Sequence, residues 1–360
     1  MKRNWTDRNN KMQMNELLSN KSEWLKGNGP DSNIAISTRV RVARNLEGHL
    51  FFNRANAEQR EKTLLKLQDA LARNRFLKGA MSLRMKDVSE LDRLFLVERH
   101  LMSREHMQDV PHKGLVVGDK EIVSVMLNEE DHIRLQVLQS GFNVMEAWRI
   151  VEDIDAELSK KVKFDYSSKF GYLTSCPTNT GTGMRASVML HLSALVMSGQ
   201  VDKVFDGISR LGFTMRGFYG EGTEFLGDFF QISNQVALGH SEMEVLDNLE
   251  RVINKIVARE KEIRQDFLNE RKSELMDRIS RAYGTLKSAR IITSSETIKL
   301  LSAVRLGVDL GFVEDMDIPG VNEILLLTQP AHLQKSYNME LGPHDRDVKR
   351  ADLIREKLNT

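Results

Sequence analysis

The sequence predicts an α+β fold for the first part of the chain and a helical fold for the rest. Residues 34–42 alternate as a strand does, with apolar side chains on one face and Arg39 and Arg41 side by side on the other. From residue 241 onward, apolar residues recur at helical spacing within a dense background of charges. These patterns place a sheet early in the chain and helices late in it.

Local signals predict several further elements. Two strands are expected over residues 121–127 and 133–138, joined by a polar turn, and a helix is expected over residues 56–77. A later helix is expected to begin at Ser294 or Ser295, because a serine side chain can cap a helix N-terminus.

A change in pattern between residues 240 and 260 marks a predicted domain boundary. We expect a catalytic part over residues 1–250, with a short N-terminal extension over residues 1–33, and a helical C-terminal domain over residues 251–360. A chain of 360 residues is long enough for two such domains.

The composition is that of a soluble globular protein, with 41% hydrophobic residues, 29% charged residues and a formal net charge of +1. So small a net charge favours neither nucleic acid nor an anionic membrane as a partner. The apolar runs are too short to cross a bilayer. Cys176 is the only cysteine, which excludes an internal disulfide. We therefore expect a cytoplasmic protein.

The common nucleotide-binding motifs are weak or absent. Residues 181–186, Gly-Thr-Gly-Met-Arg-Ala, match the loose dinucleotide fingerprint, but the residues before them do not form the buried strand that this fingerprint requires. A Walker A loop and a protein-kinase His-Arg-Asp loop are both absent from the sequence. If the chain binds ATP, it does so on another scaffold.

Several arginines stand in turn or strand contexts rather than on ordinary helical faces: Arg39, Arg41, Arg134, Arg185 and Arg216. Arginine suits phosphate because its planar guanidinium keeps its charge and donates several hydrogen bonds at once. Each of them alone could be an ordinary surface arginine. Together they favour a polyanionic ligand.

Acidic residues form a second group. Glu129, Glu130 and Asp131 share one tight turn, where like charges repel unless a cation balances them. Glu221 lies between two glycines, which allow another chain or a ligand to approach the backbone closely. The turn is either a solvated acidic hairpin or part of a site for a cation, and the residues alone leave both interpretations open.

Blocks of sequence resemble the signatures of the phosphagen kinases and occur in that family's order. They are Ser37-Thr-Arg-Val-Arg41, Asn128-Glu-Glu-Asp-His-Ile-Arg134, Cys176-Pro-Thr-Asn-Thr-Gly181, Arg185-Ala-Ser-Val188 and Arg216-Gly-Phe-Tyr-Gly-Glu221. The resemblance implies a catalytic domain built on an antiparallel β-sheet flanked by helices. It also implies ATP and Mg²⁺ as cofactors, and transfer of a phosphoryl group to a guanidino nitrogen.

The resemblance further implies roles at the matched positions. Glu130 and Glu221 would grip the acceptor guanidinium, with the Cys176 thiol beside it, although an inert buried thiol is the alternative for Cys176. Glu129 would order water around Mg²⁺, and no residue is expected to bind the metal directly. The nucleotide would be bound by the arginines and their neighbours: Ser37, Thr38, Arg39, Val40, Arg41, His100, Arg134, Arg185, Ala186, Ser187, Val188, Met189, Arg216, Gly217, Phe218, Tyr219, Gly220 and Glu221.

This reaction explains why carboxylates and arginines would occur together. A guanidinium has a pKa of about 12.5 to 13.8, so only on the order of one molecule in a million is neutral at pH 7. A carboxylate can hold it in line with the γ-phosphorus and accept its proton as the N–P bond forms. Arginines and Mg²⁺ can stabilise the negative charge on the transferring phosphoryl group.

Two features differ from creatine and arginine kinases and resemble the bacterial protein-arginine kinases of the McsB type. Only 36 residues precede Ser37, too few for the helical N-terminal domain that helps those enzymes to recognise a free guanidino acid. The C-terminal residues Arg346, Asp347, Arg350 and Ala351 match the R-D-x-x-R-A phosphoarginine-binding motif. On a helix the three charged side chains can converge, although an ordinary surface ion-pair cluster is the alternative.

We therefore expect a kinase that transfers the γ-phosphoryl group of ATP to arginine residues in proteins. A small-molecule guanidino kinase and a non-catalytic adaptor that binds phosphoarginine remain as alternatives. The resemblance implies a homodimer with allosteric regulation, acting in the bacterial stress response. It also implies an activator protein, a heat-shock repressor and a Clp ATPase or protease as partners, together with substrate proteins that expose an arginine. Neither nucleic acid nor a membrane is expected as a partner.

Overall fold

The computed structural model describes residues 14–19, 22–109, 111–217 and 226–359. Its strands are β1 (Ala35–Arg44), β2 (Met81–Arg84), β3 (Gly114–Val117), β4 (Val123–Leu127), β5 (Ile133–Ser140), β6 (Tyr166–Ser167), β7 (Gly171–Tyr172), β8 (Met184–His191), β9 (Phe213–Gly217) and β10 (Phe229–Asn234). Its helices are α1 (Met14–Ser19), α2 (Ala57–Ala72), α3 (Glu90–Glu98), α4 (Val144–Ser159), α5 (Ser193–Met197), α6 (Val201–Arg210), α7 (Glu242–Glu270), α8 (Lys272–Ser288), α9 (Ser294–Asp309), α10 (Ile318–Leu327), α11 (Pro330–Tyr337) and α12 (Pro343–Leu358).

Eight of these strands form one sheet, in the order β2-β3-β4-β5-β1-β8-β10-β9. Every neighbouring pair in it is antiparallel. Strands β6 and β7 form a separate hairpin. The expected α+β fold with an antiparallel sheet, followed by a helical C-terminal part, is confirmed.

The two faces of the central strands differ in character. On one face, Val40, Val42, Leu135, Val188 and Ile232 belong to the largest hydrophobic core, together with residues of α2, α4 and α7. Side chains alternate along a strand, so the residues between these positions point to the opposite face. That second face is apolar at one end and carries the predicted arginines at the other.

The C-terminal helices cover the apolar end of the second face. Leu138, Met189 and Phe229 are buried in a second hydrophobic cluster, which includes Leu301 and Val304 of α9. Because this cluster contains residues of both the sheet and the helices, the helical part packs directly against the sheet.

The predicted division at residue 250 falls inside one continuous helix. Helix α7 runs from Glu242 to Glu270, and the helical geometry breaks at Arg271, where φ is −136° and ψ is 33°. Residues of α7 as far as Ile263 belong to the core of the sheet. The helices that follow α7 form the C-terminal helical part.

Several predicted boundaries were wrong by a few residues. The helix expected over residues 56–77 ends at Ala72, because Asn74 is extended and its side chain accepts a hydrogen bond from Phe76 N, which starts a separate 3₁₀ turn. Strand β4 begins at Val123 rather than at residue 121, since a 3₁₀ turn precedes it. The residue that caps α9 is Thr293, whose side chain accepts from Glu296 N, and not Ser294 or Ser295.

The rejection of a dinucleotide fingerprint is confirmed. Gly181 and Gly183 have φ of +116° and +65°, as a tight turn requires. The turn leads into strand β8, whereas a dinucleotide-binding loop opens a helix. Among the described residues no helix is both long and apolar enough to cross a membrane.

Candidate active site

The predicted arginines lie together on one face of the sheet and form what we call the arginine surface: Arg39, Arg41, Arg134, Arg185 and Arg216. The register of the strands explains this grouping. Arg41 lies opposite Arg185 on one side and opposite Gln136 on the other, and Arg134 is two residues from Gln136 on the same face. Arg216 lies on β9, opposite Gln231 of the neighbouring strand β10, and so shares the same face.

Polar residues of the same face orient some of these guanidinium groups. Arg39 Nη2 donates to Gln231 Oε1 at 2.9 Å, and Arg185 donates to Ser233 Oγ from both Nε and Nη2, each at 3.3 Å. These hydrogen bonds hold the arginine side chains in place without neutralising their charge.

The arginine surface concentrates positive charge in a partly desolvated place. Burial and the charges of Arg134, Arg185 and Arg216 lower the pKa of Arg39 to about 10. Burial and its arginine neighbours also lower the pKa of Arg41 well below the usual value. Within the described residues, the buried Nε of Arg41 has no hydrogen-bond partner. A polyanion such as the phosphates of ATP fits this surface, because it would supply the missing negative charge and an acceptor.

The turn between β4 and β5 brings acidic residues to the edge of the arginine surface. Glu129 is buried and forms an ion pair with Arg134, with 2.5 Å between Glu129 Oε2 and Arg134 Nη1, and it also accepts a hydrogen bond from Ser103 Oγ. Burial opposes ionisation of Glu129, but the charge of Arg134 and these hydrogen bonds outweigh it and hold its pKa below the usual value.

Glu130, the next residue, has a different environment. Its side chain is exposed, and the Cys176 thiol forms a hydrogen bond with its carboxylate. Partial desolvation and the nearby charge of Asp131 raise the pKa of Glu130. The structure thus brings Glu130 and Cys176 together, as predicted, from two loops that are distant in sequence.

The residues that join these two loops were not predicted to have that role. Asp131 Oδ1 accepts hydrogen bonds from Ser175 N and from Asn45 Nδ2, both at 2.7 Å. Ser175 Oγ donates to the main-chain oxygen of Glu130 at 2.9 Å. Asp131 lies inside one of the quoted sequence blocks and Asn45 lies four residues after another, but nothing in the local pattern separates a positioning residue from its neighbours.

The other residues predicted to bind the nucleotide fall into groups. The side chains of Thr38, Val40, Ala186 and Val188 are on the core side of the sheet, away from the arginine surface. Thr38, for example, donates to the main-chain oxygen of Gly141 at 2.7 Å.

Ser37, Ser187 and Met189 lie on the same side of the sheet as the arginines. Ser187 is directly opposite Arg39, whereas Met189 is buried in the hydrophobic cluster beneath the C-terminal helices.

His100 lies beside the arginine surface. Its main-chain oxygen accepts a hydrogen bond from Gln136 Nε2 at 2.5 Å, and its ring contacts Trp24 edge to face at 5.2 Å. Burial and the charge of Arg39 lower the pKa of His100 to about 3, so the ring is neutral near pH 7. A neutral ring at this position can contact a nucleotide without adding to the positive charge.

Glu221, Phe218, Tyr219 and Gly220 lie outside the described residues. Gly217 is the last described residue of this block, at the end of β9. Among the described residues, no group of three or more His, Cys, Asp or Glu side chains is arranged to hold a metal ion.

The C-terminal motif lies on α12, where it forms part of the packing of the helical domain. Arg350 is only 1% exposed. It donates to the main-chain oxygens of Thr328 and Ile292, each at 2.9 Å, and it contacts Asp347 Oδ1 at 2.5 Å. These bonds anchor α12 to two segments of the helical domain.

Its neighbours differ in exposure. Ala351 is fully buried, whereas Arg346 and Asp347 are partly exposed. Arg346 Nη1 donates to the main-chain oxygen of Leu341 at 3.2 Å. The predicted convergence is therefore observed between Asp347 and Arg350, while Arg346 is bonded to another segment.

A partly buried arginine surface bordered by a carboxylate and a thiol has the charges that a phosphotransferase acting on a cationic acceptor requires. The chain belongs to the ATP:guanido phosphotransferase family. Residues 63–263 match the model of the ATP:guanido phosphotransferase C-terminal catalytic domain, and residues 272–360 match that of the protein-arginine kinase McsB C-terminal domain.

Curated relatives are similar over almost the whole chain. A protein-arginine kinase of Halothermothrix orenii is 43% identical over 349 residues, which cover 97% of this chain and 100% of the relative. A protein-arginine kinase of Bacillus subtilis is 42% identical over 340 residues, which cover 94% of this chain and 93% of the relative.

Solved structures share the fold. The duplicated taurocyamine kinase of Schistosoma mansoni, with bound components of a transition state analog, has a TM-score of 0.60 and 30% identity, covering 65% of this chain but only 34% of that protein. Lombricine kinase has a TM-score of 0.58 at 24% identity, covering 69% of this chain and 75% of that one. These neighbours agree with the antiparallel sheet described above, and the chain is an enzyme of this family.

Proposed function

We propose that this enzyme transfers the γ-phosphoryl group of ATP to the guanidino group of arginine residues in proteins. The observation that carries the proposal is the Glu130–Cys176 pair, which provides a site for a cation at the edge of the arginine surface. The names of the relatives, protein-arginine kinases similar over almost their whole length, support a protein as the source of that cation.

The residues of the site suit the two substrates separately. The arginine surface would bind the phosphates of ATP. When ATP is bound it supplies the phosphoryl group, and the arginines would stabilise the negative charge on that group during transfer. Glu130 would orient the acceptor guanidinium and take its proton, because its raised pKa makes it a stronger base than an ordinary carboxylate. We propose that Mg²⁺ accompanies ATP, with Glu129 contributing through water.

We also propose a second site on α12, where Arg346 and Asp347 would bind phosphoarginine. Phosphoarginine combines a phosphate with a guanidino group, so a neighbouring cation and anion would be complementary to it. The match of this region to the McsB C-terminal domain supports the proposal.

On family membership alone, we further propose a cytoplasmic homodimer that is allosterically regulated and acts in the stress response. Its proposed partners are an activator protein, a heat-shock repressor and a Clp ATPase or protease.

A single experiment separates the proposed acceptor from the alternatives. The enzyme is incubated with ATP, Mg²⁺ and either free arginine or an unfolded protein, and the products are analysed by mass spectrometry without acid, because the P–N bond is acid-labile. We expect phosphoarginine in the protein. Phosphate on free arginine alone would favour a small-molecule kinase, and binding of phosphoarginine without any transfer would favour an adaptor.

A further inference from the structure

A cavity of about 450 Å³ opens beside the β6–β7 hairpin, outside the site described above. Its volume is within the range of roughly 300 to 1,000 Å³ that is usual for pockets that bind small ligands. The lining combines aromatic rings with charged groups: Glu47, Ser159, Val162, Lys163, Phe164, Asp165, Tyr166 and Tyr172.

The aromatic residues of the cavity form a connected cluster. The ring centroids of Tyr166 and Tyr172 are 5.2 Å apart, those of Phe164 and Tyr172 are 6.3 Å apart, and both pairs are edge to face. One guanidinium already lies on this cluster, since the central carbon of Arg44 is 3.5 Å from the centre of the Tyr172 ring. Tyr166 is 62% exposed, so its ring is accessible to a second cation.

The charged residues of the lining have an excess of negative charge. Glu47 and Asp165 are acidic and Lys163 is basic. Lys163 Nζ is 4.0 Å from Glu47, and both side chains are largely exposed, so this pair is weak. Among the described residues, the Asp165 carboxylate has no hydrogen-bond or ion-pair partner. A carboxylate beside an exposed aromatic ring favours a cationic group.

Hydrogen bonds connect the cavity to the two loops that carry Glu130 and Cys176. Asp165 N donates to the main-chain oxygen of Asn45 at 2.8 Å, and Asn45 Nδ2 donates to Asp131, the neighbour of Glu130. Leu173, which lies three residues before Cys176, donates from its main-chain nitrogen to the main-chain oxygen of Asp165 at 3.0 Å.

We propose that this cavity binds a lysine or arginine side chain that lies a few residues from the acceptor arginine in the substrate polypeptide. The exposed ring of Tyr166 would contact the cation and its stem, and Asp165 would balance its charge. The inference rests on the proposed function, because only an acceptor within a polypeptide has flanking residues. The cavity would make the enzyme prefer arginines in basic segments.

The test uses fluorescent peptides with one acceptor arginine and a single lysine placed two to five residues before or after it, compared with the same peptides carrying glutamine. Peptide Kd is measured on the Glu130→Gln enzyme, and kcat/KM on enzyme with an intact Glu130. We expect lysine to lower the peptide Kd and to raise kcat/KM, each about three- to ten-fold, at one or two positions. Asp165→Asn and Tyr166→Ala should each remove most of this preference.

Matched variants control for general effects. Phe170→Ala removes an exposed aromatic ring from the same hairpin but not from the cavity, and Asp153→Asn removes a partly exposed carboxylate from α4. Both should keep the preference for lysine, and melting temperatures identify any variant that is unfolded. Equal affinity for lysine and glutamine peptides at every position would overturn the inference. So would a loss of the lysine preference in Phe170→Ala as large as that in Asp165→Asn and Tyr166→Ala.

The two proposals fail in distinguishable ways. If lysine peptides bind more tightly but are never phosphorylated, the proposed function fails and the cation site stands. If peptides are phosphorylated on arginine but flanking lysine has no effect, the proposed function stands and the cavity does not bind the substrate.

Discussion

Glu129 and Glu130 are adjacent in the chain, yet their environments move their pKa values in opposite directions. Arg134 and Ser103 stabilise the ionised form of Glu129, whereas desolvation and the charge of Asp131 disfavour ionisation of Glu130. Two carboxylates with pKa values driven apart can perform different tasks in one site. Glu129 is suited to remain a fixed negative charge, and Glu130 is suited to exchange a proton.

Replacing Glu130 by glutamine tests this assignment. Glu130→Gln should lower kcat by roughly a hundredfold or more, because it removes both the proton acceptor and the charge that orients the guanidinium. The affinity for ATP, measured by calorimetry, should change little, since the arginine surface is intact. Glu221→Gln should behave alike, and Cys176→Ser should have a smaller effect. An equal loss of ATP affinity in Glu130→Gln would contradict the assignment. The control is Asp153→Asn, which changes a partly exposed carboxylate outside the site.

Arg41 illustrates a conflict between stability and binding at the level of one residue. Its charge is buried among other arginines, which destabilises the protein when no polyanion is bound. Arg41→Met should therefore raise the melting temperature of the ligand-free protein by about 2 to 4 °C for each kcal/mol of repulsion removed. It should also weaken ATP binding about ten-fold or more, because a charged phosphate contact is lost.

Differential scanning calorimetry with and without ATP and Mg²⁺ measures both effects. The exposed Arg290→Met is the matched control, and it should change neither the melting temperature nor the increase caused by ATP. A lower melting temperature for ligand-free Arg41→Met would mean that Arg41 stabilises the fold rather than the bound nucleotide.

At the scale of elements, the sequence predicted what depends on neighbouring residues. Alternation along residues 34–42 is sufficient to place Arg39 and Arg41 on one face, because the period of a strand is local. The strand order, with β1 between β5 and β8, is set by packing between distant segments. The contact between Arg134 and its sheet neighbours could therefore be expected only from the resemblance to a family.

Burial of single side chains was equally hard to predict. The spacing of the C-terminal motif correctly indicates a helix, but it does not reveal that Arg350 is enclosed and bonded to the main chain at two distant positions. Likewise, the sequence does not show that Asn45 joins two loops of the site. Such contacts depend on how elements meet and not on the pattern within either of them.

Helix α12 gives a prediction that separates binding from packing. Arg350→Ala removes a buried cation from three acceptors and should destabilise the helical domain by roughly 2 to 4 kcal/mol. Arg346→Ala should leave the melting temperature almost unchanged, since Arg346 is partly exposed, while it abolishes binding of a phosphoarginine peptide. Lys349→Ala, on the same helix, should affect neither property.

Urea unfolding and fluorescence anisotropy measure the two properties separately. If Arg346→Ala binds phosphoarginine peptides as well as the unmodified protein does, the motif is a packing and ion-pair cluster and the second site is rejected. If the Arg350→Ala variant is as stable as the unmodified protein, the buried hydrogen bonds of Arg350 do not anchor α12.

At the scale of the whole molecule, the catalytic and helical parts share a buried polar junction. Glu98, at the end of α3, accepts hydrogen bonds from the main-chain nitrogens of Ala331 and His332 at 2.8 and 3.0 Å, which satisfies the start of α11. The next residue, Arg99, pairs with Glu121 at 2.5 Å. His100 follows and lies beside the arginine surface. Three consecutive residues thus connect the helical part to the site.

Buried histidines should make this molecule sensitive to mild acid. Burial lowers the pKa of His100 to about 3 and that of His106 to about 4, and it also lowers the pKa values of His191 and His332. In the unfolded chain a histidine has a pKa of about 6.5. Below that pH the unfolded state binds protons that the folded state does not, so the free energy of unfolding falls as the pH falls.

Each such histidine lowers the free energy of unfolding by at most about 1.4 kcal/mol for each pH unit below pH 6.5. This loss begins at a higher pH than the titration of ordinary carboxylates. Urea unfolding at pH 7.5, 6.0 and 5.0 should therefore show a steep loss of stability. His106→Gln should reduce the slope, because glutamine can still donate to the main-chain oxygen of Gly114 but does not titrate. The exposed His344→Gln should keep the original slope. An unchanged slope in His106→Gln would mean that His106 is protonated in the folded protein, and the predicted source of acid sensitivity would be wrong.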